Sequence, residues 1–336
     1  MRTFWPSPSA PLPSGRRAVL RRVDAAIGWT CAVGLGAIVL AELVGTSRFA
    51  FMVFAQAVAP FVIVGGGVMA FRAVLRRQGS LALVSFTLVL VLTGITLWPI
   101  RPGRIPVASA TEPRLRVAFA NALDRFSSPQ KAQSMLDTEA DVMVAVEASE
   151  SFLKDIRSGD APGRYPYMAR AGTDYQDRAG VWSRYPIVDV EQMRFGHAAL
   201  LVTLNIDGHL VRLVAAHLSN GVTGSYDDWK NDLAAIAADT AKLSGPVIVV
   251  GDFNATLAHP PLRILQTNGY REVHSWLGHG LRPSWPMDAW PIPPMMRIDH
   301  AFVRGGLAPL AVRDFNLTDS DHRGFVVDLA VRNQAG

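Results

Sequence analysis

Three long apolar stretches, roughly 23–45, 49–71 and 80–100, dominate the first third of the chain. Each reaches the ~20 residues that a helix needs to cross a bilayer. The only charges inside them are Asp24, near an end, and Glu42. Successive stretches of this length with so little charge predict a membrane domain over 23–100 with three transmembrane helices, not buried helices of a soluble protein. A Pro/Ser-rich and then Arg-rich tail, 1–22, precedes them. Residues 101–113, with Pro102, Gly103, Pro106 and Pro113, read as a linker. From 114 to 332 the pattern changes to short strand-like runs between amphipathic segments. Leu115–Ala120, Val142–Val146, Leu200–Ile206, Leu210–Ala216, Val247–Val250 and Gly324–Leu329 predict strands. Residues 226–243 predict a helix with an Ala/Leu/Ile face, stopped near Gly245-Pro246. This mixture implies α/β layers and excludes a bundle or an all-β barrel.

Charge divides the chain the same way. Residues 1–104 hold 11 Arg against two acids, a net charge of +9, whereas the rest holds 22 Lys/Arg against 26 Asp/Glu, a net charge of −4. The basic character therefore belongs to the membrane end. The remaining domain lacks the broad basic face that non-specific nucleic-acid binding needs. The N-terminal Arg cluster, Arg16, Arg17, Arg21 and Arg22, and the group Arg72, Arg76 and Arg77 flank the spans on one side, with Arg48 alone in the outer turn. Positive residues mark the cytoplasmic side. Three spans then place the C-terminal domain outside the cytoplasmic membrane, on a multi-pass anchor of a bacterial inner membrane. Arg16-Arg17-Ala18-Val19-Leu20-Arg21 also loosely matches a twin-arginine export signal, which exports the same domain. The single cysteine, Cys31, excludes an internal disulfide and a Cys-based zinc site.

Chemistry gathers in three polar strand ends. Val249-Val250-Gly251-Asp252-Phe253-Asn254 closes an apolar run with an Asp and an Asn two positions apart. On extended chain both point the same way, and together they can orient a phosphate and an attacking water. Alone, the segment is equally an ordinary strand-to-turn transition. Arg297-Ile298-Asp299-His300 and Ser320-Asp321-His322-Arg323 add Asp and His. A buried Asp beside a His fixes its tautomer and raises its basicity, which makes a general base.

Order and spacing give these fragments their meaning. Asn121 follows the first strand, Glu147 follows Asp141–Val146, His217 ends Ala215-Ala216-His217-Leu218, and the three segments above come next. Gly180-Val181-Trp182-Ser183-Arg184-Tyr185-Pro186-Ile187 and Pro283-Ser284-Trp285-Pro286 complete a pattern that resembles the endonuclease/exonuclease/phosphatase superfamily over about residues 114–332. The resemblance implies a four-layer α/β sandwich, two mixed β-sheets flanked by helices, with the active site at one end of the sheets. It further implies that Glu147 binds a divalent metal with Asn121 and Asp321 near it. Asp252 and Asn254 would contact phosphate and nucleophile, and Asp299 would pair with His322. His217 would donate a hydrogen bond to the phosphate or a proton to the leaving group. Oxygen ligands suit Mg²⁺, with Mn²⁺ a possible substitute. The partner would be a phosphate ester, lipid-linked, nucleotide or nucleic acid, beside the lipid bilayer of the anchor.

The chain departs from the pattern at Leu123, where a second Asn is common. Asp174 and Asp177 are candidates for a carboxylate behind His217. His274 and His279 read as loop residues, and His300, alternating away from Asp299, as packing. Trp285, Trp290 and Met295–Met296 form either an apolar lip for a lipid or a base or, the preferred reading, a cover for a sheet edge. The resulting function is metal-dependent hydrolysis of a phosphomonoester or phosphodiester outside the cytoplasmic membrane. The rivals are an extracytoplasmic nuclease and a non-catalytic binding or sensor domain. A reporter that works only outside the cytoplasm, fused after Gly336, is expected to be active; activity from a cytoplasm-only reporter would reverse the topology.

Overall fold

The computed structural model describes residues 14–45, 49–105, 109, 111–123, 128–158, 161–172, 178–193 and 195–332. The tail up to residue 13, Arg48 of the outer turn and Pro106 of the linker lie outside them. By contact the chain divides into two units, 1–40 with 60–94, and 41–59 with 95–336.

The first unit is built from α1 (Ser14–Val44), which continues into the second unit past residue 40, from α3 (Ala59–Leu75), and from α4 (Gly79–Leu97). Leu35, Val39 and Leu92 pack together, as do Ala32, Ala73 and Leu81. Val33, Val64, Val68, Leu83, Phe86 and Leu90 face outward, so these helices are apolar all round, as lipid contact requires. Asp24 is explained by its ion pair with Arg72. Two helical segments, Ala18–Val44 and Gly79–Ile100, are long and apolar enough to cross a membrane. The middle stretch is broken into α2 (Ala50–Ala57) and α3, a bent pair that makes a third span if taken as one. The cause is Pro60, which has no N–H and whose ring collides with the preceding turn. α3 alone has 17 residues, the short end of the range for a span.

Among the described residues, the second unit holds twelve strands. β1 (Arg114–Asn121), β2 (Val142–Val146), β3 (Tyr167–Ala171), β4 (Ala179–Ser183), β11 (Leu307–Asn316) and β12 (Arg323–Val331) form one sheet in the order β11-β12-β1-β2-β4-β3. β5 (Ile187–Gln192), β6 (Ala198–Ile206), β7 (His209–His217), β8 (Val247–Asp252), β9 (Arg271–Glu272) and β10 (Asp299–Arg304) form the other, ordered β5-β6-β7-β8-β10-β9. Both sheets are mixed: β1–β2 and β7–β8 run parallel and the other pairs antiparallel. Alternation along the strands sends Leu115, Val117, Phe119, Val144, Leu200, Val202, Leu213, Val250 and Phe325 into the space between the sheets. The opposite faces are covered by helices, giving the four layers. α5 (Pro129–Leu136), α6 (Glu150–Ile156) and the one-turn α7 (Ala161–Arg164) cover the first sheet through Met135, Phe152 and Ala161, which pack in one cluster with Trp182 of β4. α8 (Tyr226–Ala241) covers the second through Trp229, Leu233 and Ile236. Ser225 starts α8 by accepting from the Asp228 N–H, a cap typically worth about 1 kcal/mol.

Residues 101–105 are tied to this unit rather than free. The Gly103 N–H donates to the Trp276 carbonyl at 3.0 Å, and Trp276 Nε1 donates to the Arg104 carbonyl at 3.1 Å. His274 departs from the loop expectation: it lies fully buried in the helical turn Val273–Trp276, against Phe325. There it contacts Asp314 at 3.2 Å and Glu272 at 3.4 Å, while Arg297 donates to Asp314 at 2.8 Å. This buried ionic cluster ties β9, the segment that enters β10, and β11 together across the two sheets. Burial opposes ionisation of Asp314, but the hydrogen bond from His274 and the charge of Arg297 hold its carboxyl at about 2. A folded value below the ordinary ~3.9 contributes stability that is complete above pH 4 and lost as pH falls towards 2. Asp314→Asn is therefore expected to lower the melting temperature at pH 6, with the difference from wild type shrinking below pH 4. A difference that stays constant down to pH 2.5 would show that the charge of Asp314 is not what stabilises.

Candidate active site

Strand register assembles the site. β7 and β8 are parallel with His217 beside Asp252, and β10 is antiparallel to β8 with Asp299 beside Asp252. Three polar residues thus form one row across the end of the second sheet, with adjacent strands ~4.8 Å apart. Gly251 permits this, because a Cβ there would lie 2.3 Å from the Ala216 carbonyl oxygen. The facing sheet supplies Asn121 at the end of β1, Glu147 just past β2, and Asp321 and His322 just before β12.

Asn121 joins the two sheets. Its Nδ2 donates to Glu147 Oε1 at 2.9 Å and to Asp252 Oδ2 at 3.0 Å. Its Oδ1 accepts the Leu123 N–H at 3.0 Å, which fixes the amide's orientation. Asn121 therefore presents donors to the carboxylates and holds them in place. Leu123, where an Asn is common, contributes through its backbone at φ 42°. Glu147 and Asn254 also sit in the left-handed region, at φ 46° and 48°. Non-glycine residues hold such angles at a cost of order 1–3 kcal/mol each, and only where surrounding contacts impose them. For Asn254 those contacts are plain: its N–H donates to Asp252 Oδ1, its Nδ2 to the Leu218 carbonyl, and its Oδ1 accepts from Asn220 Nδ2. The chain is turned at Asn254 and not extended as expected, yet both Asp252 and Asn254 line the same cavity.

His322 Nδ1 lies 2.9 Å from Asp299 Oδ2, with both side chains buried. Its Nε2 is 3.7 Å from Asp252 Oδ2 and 3.8 Å from Asp321 Oδ1. The backbone fixes the pair: Ser284 Oγ accepts from the Asp299 N–H, and Ser320 Oγ accepts from the His322 N–H while donating to the Asn121 carbonyl. Burial alone would lower the pKa of His322, but Asp299, Asp252 and Asp321 push it up to about 10. Burial pushes Asp252 up to about 6, with Asp299 adding to it and His322 and His217 opposing it. His217 Nε2 lies 3.5 Å from Glu147 Oε1 and 4.0 Å from Asp252 Oδ2. Contacts thus link all eight residues singled out in the sequence.

The cavity over these groups has a volume of about 440 Å³. Among the described residues lining it there is no Lys or Arg, while Glu147, Asp252 and Asp321 all face it. Asp321 Oδ2 accepts from Trp285 Nε1 at 3.0 Å, but its buried Oδ1 accepts no hydrogen bond. Glu147, His217 and Asp252 bring one ligand atom each within 4.8 Å of one another. Carboxylate oxygens in excess, one of them without a donor, suit a hard divalent cation.

Several lining residues escaped sequence reading. His197 lies against His217 with ring centroids 5.0 Å apart and the rings tilted, Asn220 holds Asn254, and His259 lines the cavity. Asn220, three residues past His217 at a strand end, carried a usable signal; His197 and His259 carried none. Asp174 and Asp177 lie outside the described residues. His300 is packing, as expected: it binds Glu272 at 3.2 Å and the Ala255 carbonyl at 3.0 Å. Trp285 and Met296 line the cavity, whereas Trp290 is 93% exposed.

Two packed mixed sheets with helices outside, carrying a carboxylate-rich site with an Asp–His pair at their ends, define a class of hydrolytic α/β sandwich. The profile of the Endonuclease/Exonuclease/phosphatase family matches residues 106–322, more than half of the chain. The chain belongs to that family and is a hydrolase of it. Family members generally depend on divalent metals, and the carboxylate/His cluster described above is of that kind. No curated protein matches the chain significantly. Among solved structures, D. rerio TDP2 complexed with single strand DNA product is similar in fold, at 15% identity and TM-score 0.55, over 65% of this chain and 99% of that one. An endonuclease/exonuclease/phosphatase from Beutenbergia cavernae DSM 12333 is similar at 18% identity and TM-score 0.51, over 66% of this chain and 72% of that one.

Proposed function

We propose that the chain hydrolyses a phosphomonoester or phosphodiester with the help of a divalent cation, Mg²⁺ or Mn²⁺, on the outer side of the cytoplasmic membrane. The observation that carries this reading is the buried Asp299–His322 pair opening onto a cavity whose described lining holds carboxylates and no Lys or Arg. Phosphate is an anion and cannot approach Glu147, Asp252 and Asp321 unless their charge is offset. A bound cation supplies that offset and stabilises the charge of the transition state. Glu147 and Asp321 would hold it, with Asn121 fixing the Glu147 carboxylate. Asp299 keeps the Nδ1 proton on His322, leaving Nε2 to take a proton from water. A cation on Glu147 and Asp321 would offset part of the negative charge around His322, which favours the neutral imidazole. Asp252 and Asn254 orient the nucleophile and a phosphate oxygen. His217 stands on the opposite side of Asp252 from the Asp299–His322 pair, where it can donate to the phosphate or the leaving group. The acidic lining and the net charge of −4 over residues 105–336 argue against a long polyanion as substrate. The outer location rests on the Arg distribution with α3 as the second span.

Glu147→Gln keeps the shape of the side chain and loses its charge. It is expected to fold normally, to lose activity by about two orders of magnitude and to require more Mg²⁺; wild-type turnover that survives prolonged chelation would remove the metal from the reaction. The base is tested by a double-mutant cycle. His322→Ala should lower turnover strongly with little change in KM, and adding Asp299→Ala should cost little more, because Asp299 acts through the imidazole. If the two losses multiply while all three proteins remain folded, Asp299 and His322 act separately and the base lies elsewhere.

A further inference from the structure

The cavity has two unlike sides. One is the polar row already described. The other is apolar and comes largely from α2, whose Val53, Phe54 and Ala57 line it together with Met296 and Ile298. α2 is a fixed part of this wall. His259 accepts the Thr256 N–H at Nδ1, so its Nε2 carries the proton and donates to the Val53 carbonyl at 2.8 Å. Val53 is buried in the same cluster as Phe253 and Trp229, and Ala57 packs on Met296 and Ile298. Just ahead of α2, Glu42 accepts from Arg263 at 2.5 Å, which accounts for an acid inside an otherwise apolar stretch. The outward part of α2 is apolar too: Phe51 is 65% exposed and Phe54 is 45% exposed.

A cavity with two chemically opposite sides suits a molecule with two chemically opposite ends. A sugar or peptide next to the phosphate would leave hydroxyls or amides facing Val53, Phe54, Ala57 and Met296 without hydrogen bonds, which is unfavourable. A hydrocarbon chain loses nothing there and removes apolar surface from water. The helix that forms the wall is joined through Val58 directly to α3, and it follows α1 in sequence, so the apolar side belongs to the same stretch of chain as the helices of membrane length. We propose that the substrate is a lipid phosphate ester, its phosphate on the carboxylate and imidazole side and its hydrocarbon chain along Val53, Phe54, Ala57 and Met296. This deepens the phosphoesterase reading and rests on it.

The test uses the full chain in detergent with Mg²⁺ and two probe series carrying methyl, hexyl or dodecyl chains. Alkyl phosphates report monoester hydrolysis by phosphate release, and alkyl p-nitrophenyl phosphates report diester hydrolysis by nitrophenolate. In whichever series is cleaved, kcat/KM is expected to rise by about 100-fold or more from methyl to dodecyl, each buried methylene contributing up to about fourfold. Phe54→Asp should lower kcat/KM for the dodecyl ester about tenfold more than for the methyl ester. Phe54→Ser, a milder change at a half-exposed position, should act in the same direction and serves if the Asp variant fails to fold. Rates independent of chain length, a dodecyl preference unchanged in the folded variants, or faster cleavage of thymidine 5′-p-nitrophenyl phosphate than of the dodecyl ester would overturn the lipid assignment and leave the hydrolysis standing. Absence of cleavage in every series, with wild type no different from Glu147→Gln, would instead overturn the phosphoesterase reading itself.

Discussion

A single amide crossing the gap between two sheets organises the polar end of this molecule. Asn121 leaves β1 in one sheet and donates from the same nitrogen to Glu147, beyond the neighbouring strand, and to Asp252 in the facing sheet. Two carboxylates at this distance repel each other, and repulsion grows as water is excluded. Shared donation from one nitrogen relieves part of that cost and fixes both groups at once. The arrangement depends on the sheets already being packed, because only the apolar layer between them sets Asn121 and Asp252 face to face.

The rest of the site follows from keeping several charges in a small buried space. Asp299 and His322 satisfy one another, Asn254 and Asn121 donate to the two oxygens of Asp252, and Trp285 donates to Asp321. One oxygen of Asp321 is left over. Buried acceptors without donors are rare in native proteins and commonly mark a function. The left-handed backbone at Glu147 and Asn254 points the same way: such angles are costly, and the chain adopts them where a side chain must leave the strand direction. Charge, strain and a spare acceptor converge on one cavity, and that convergence supports the metal-assisted reading more strongly than any one of them.

The apolar half of the cavity has a different origin. By composition α2 belongs to the membrane stretch, whereas by contact it belongs to the hydrolase unit. Pro60, three positions after its last residue and second in α3, marks the break between them, which frees eight residues to pack beside the site. The chain thus uses one apolar segment to complete a catalytic wall in place of extending a span.

The amino-acid sequence by itself determined six of the strands (β1, β2, β6, β7, β8 and β12), the long helix, the apolar stretches and the identity of the reactive residues. Those features are local: side-chain period, caps and turn residues act over a few positions, and the order of Asn121, Glu147, His217, Asp252, Asp299 and His322 is written along the chain. What it could not carry was anything decided by contacts between distant segments. The direction of the Asn121 amide depends on Asp252, 131 positions away. The conformation of Asn254 depends on Leu218 and Asn220, and the place of His274 depends on Asp314. The break at Pro60 was visible as a residue, but the fate of α2 was not, since an apolar helix can be buried by lipid or by protein. Only the tertiary structure decided that, because His259 and the apolar surface around Phe253 form the partner for α2 only after β8 and the loop that follows it have folded.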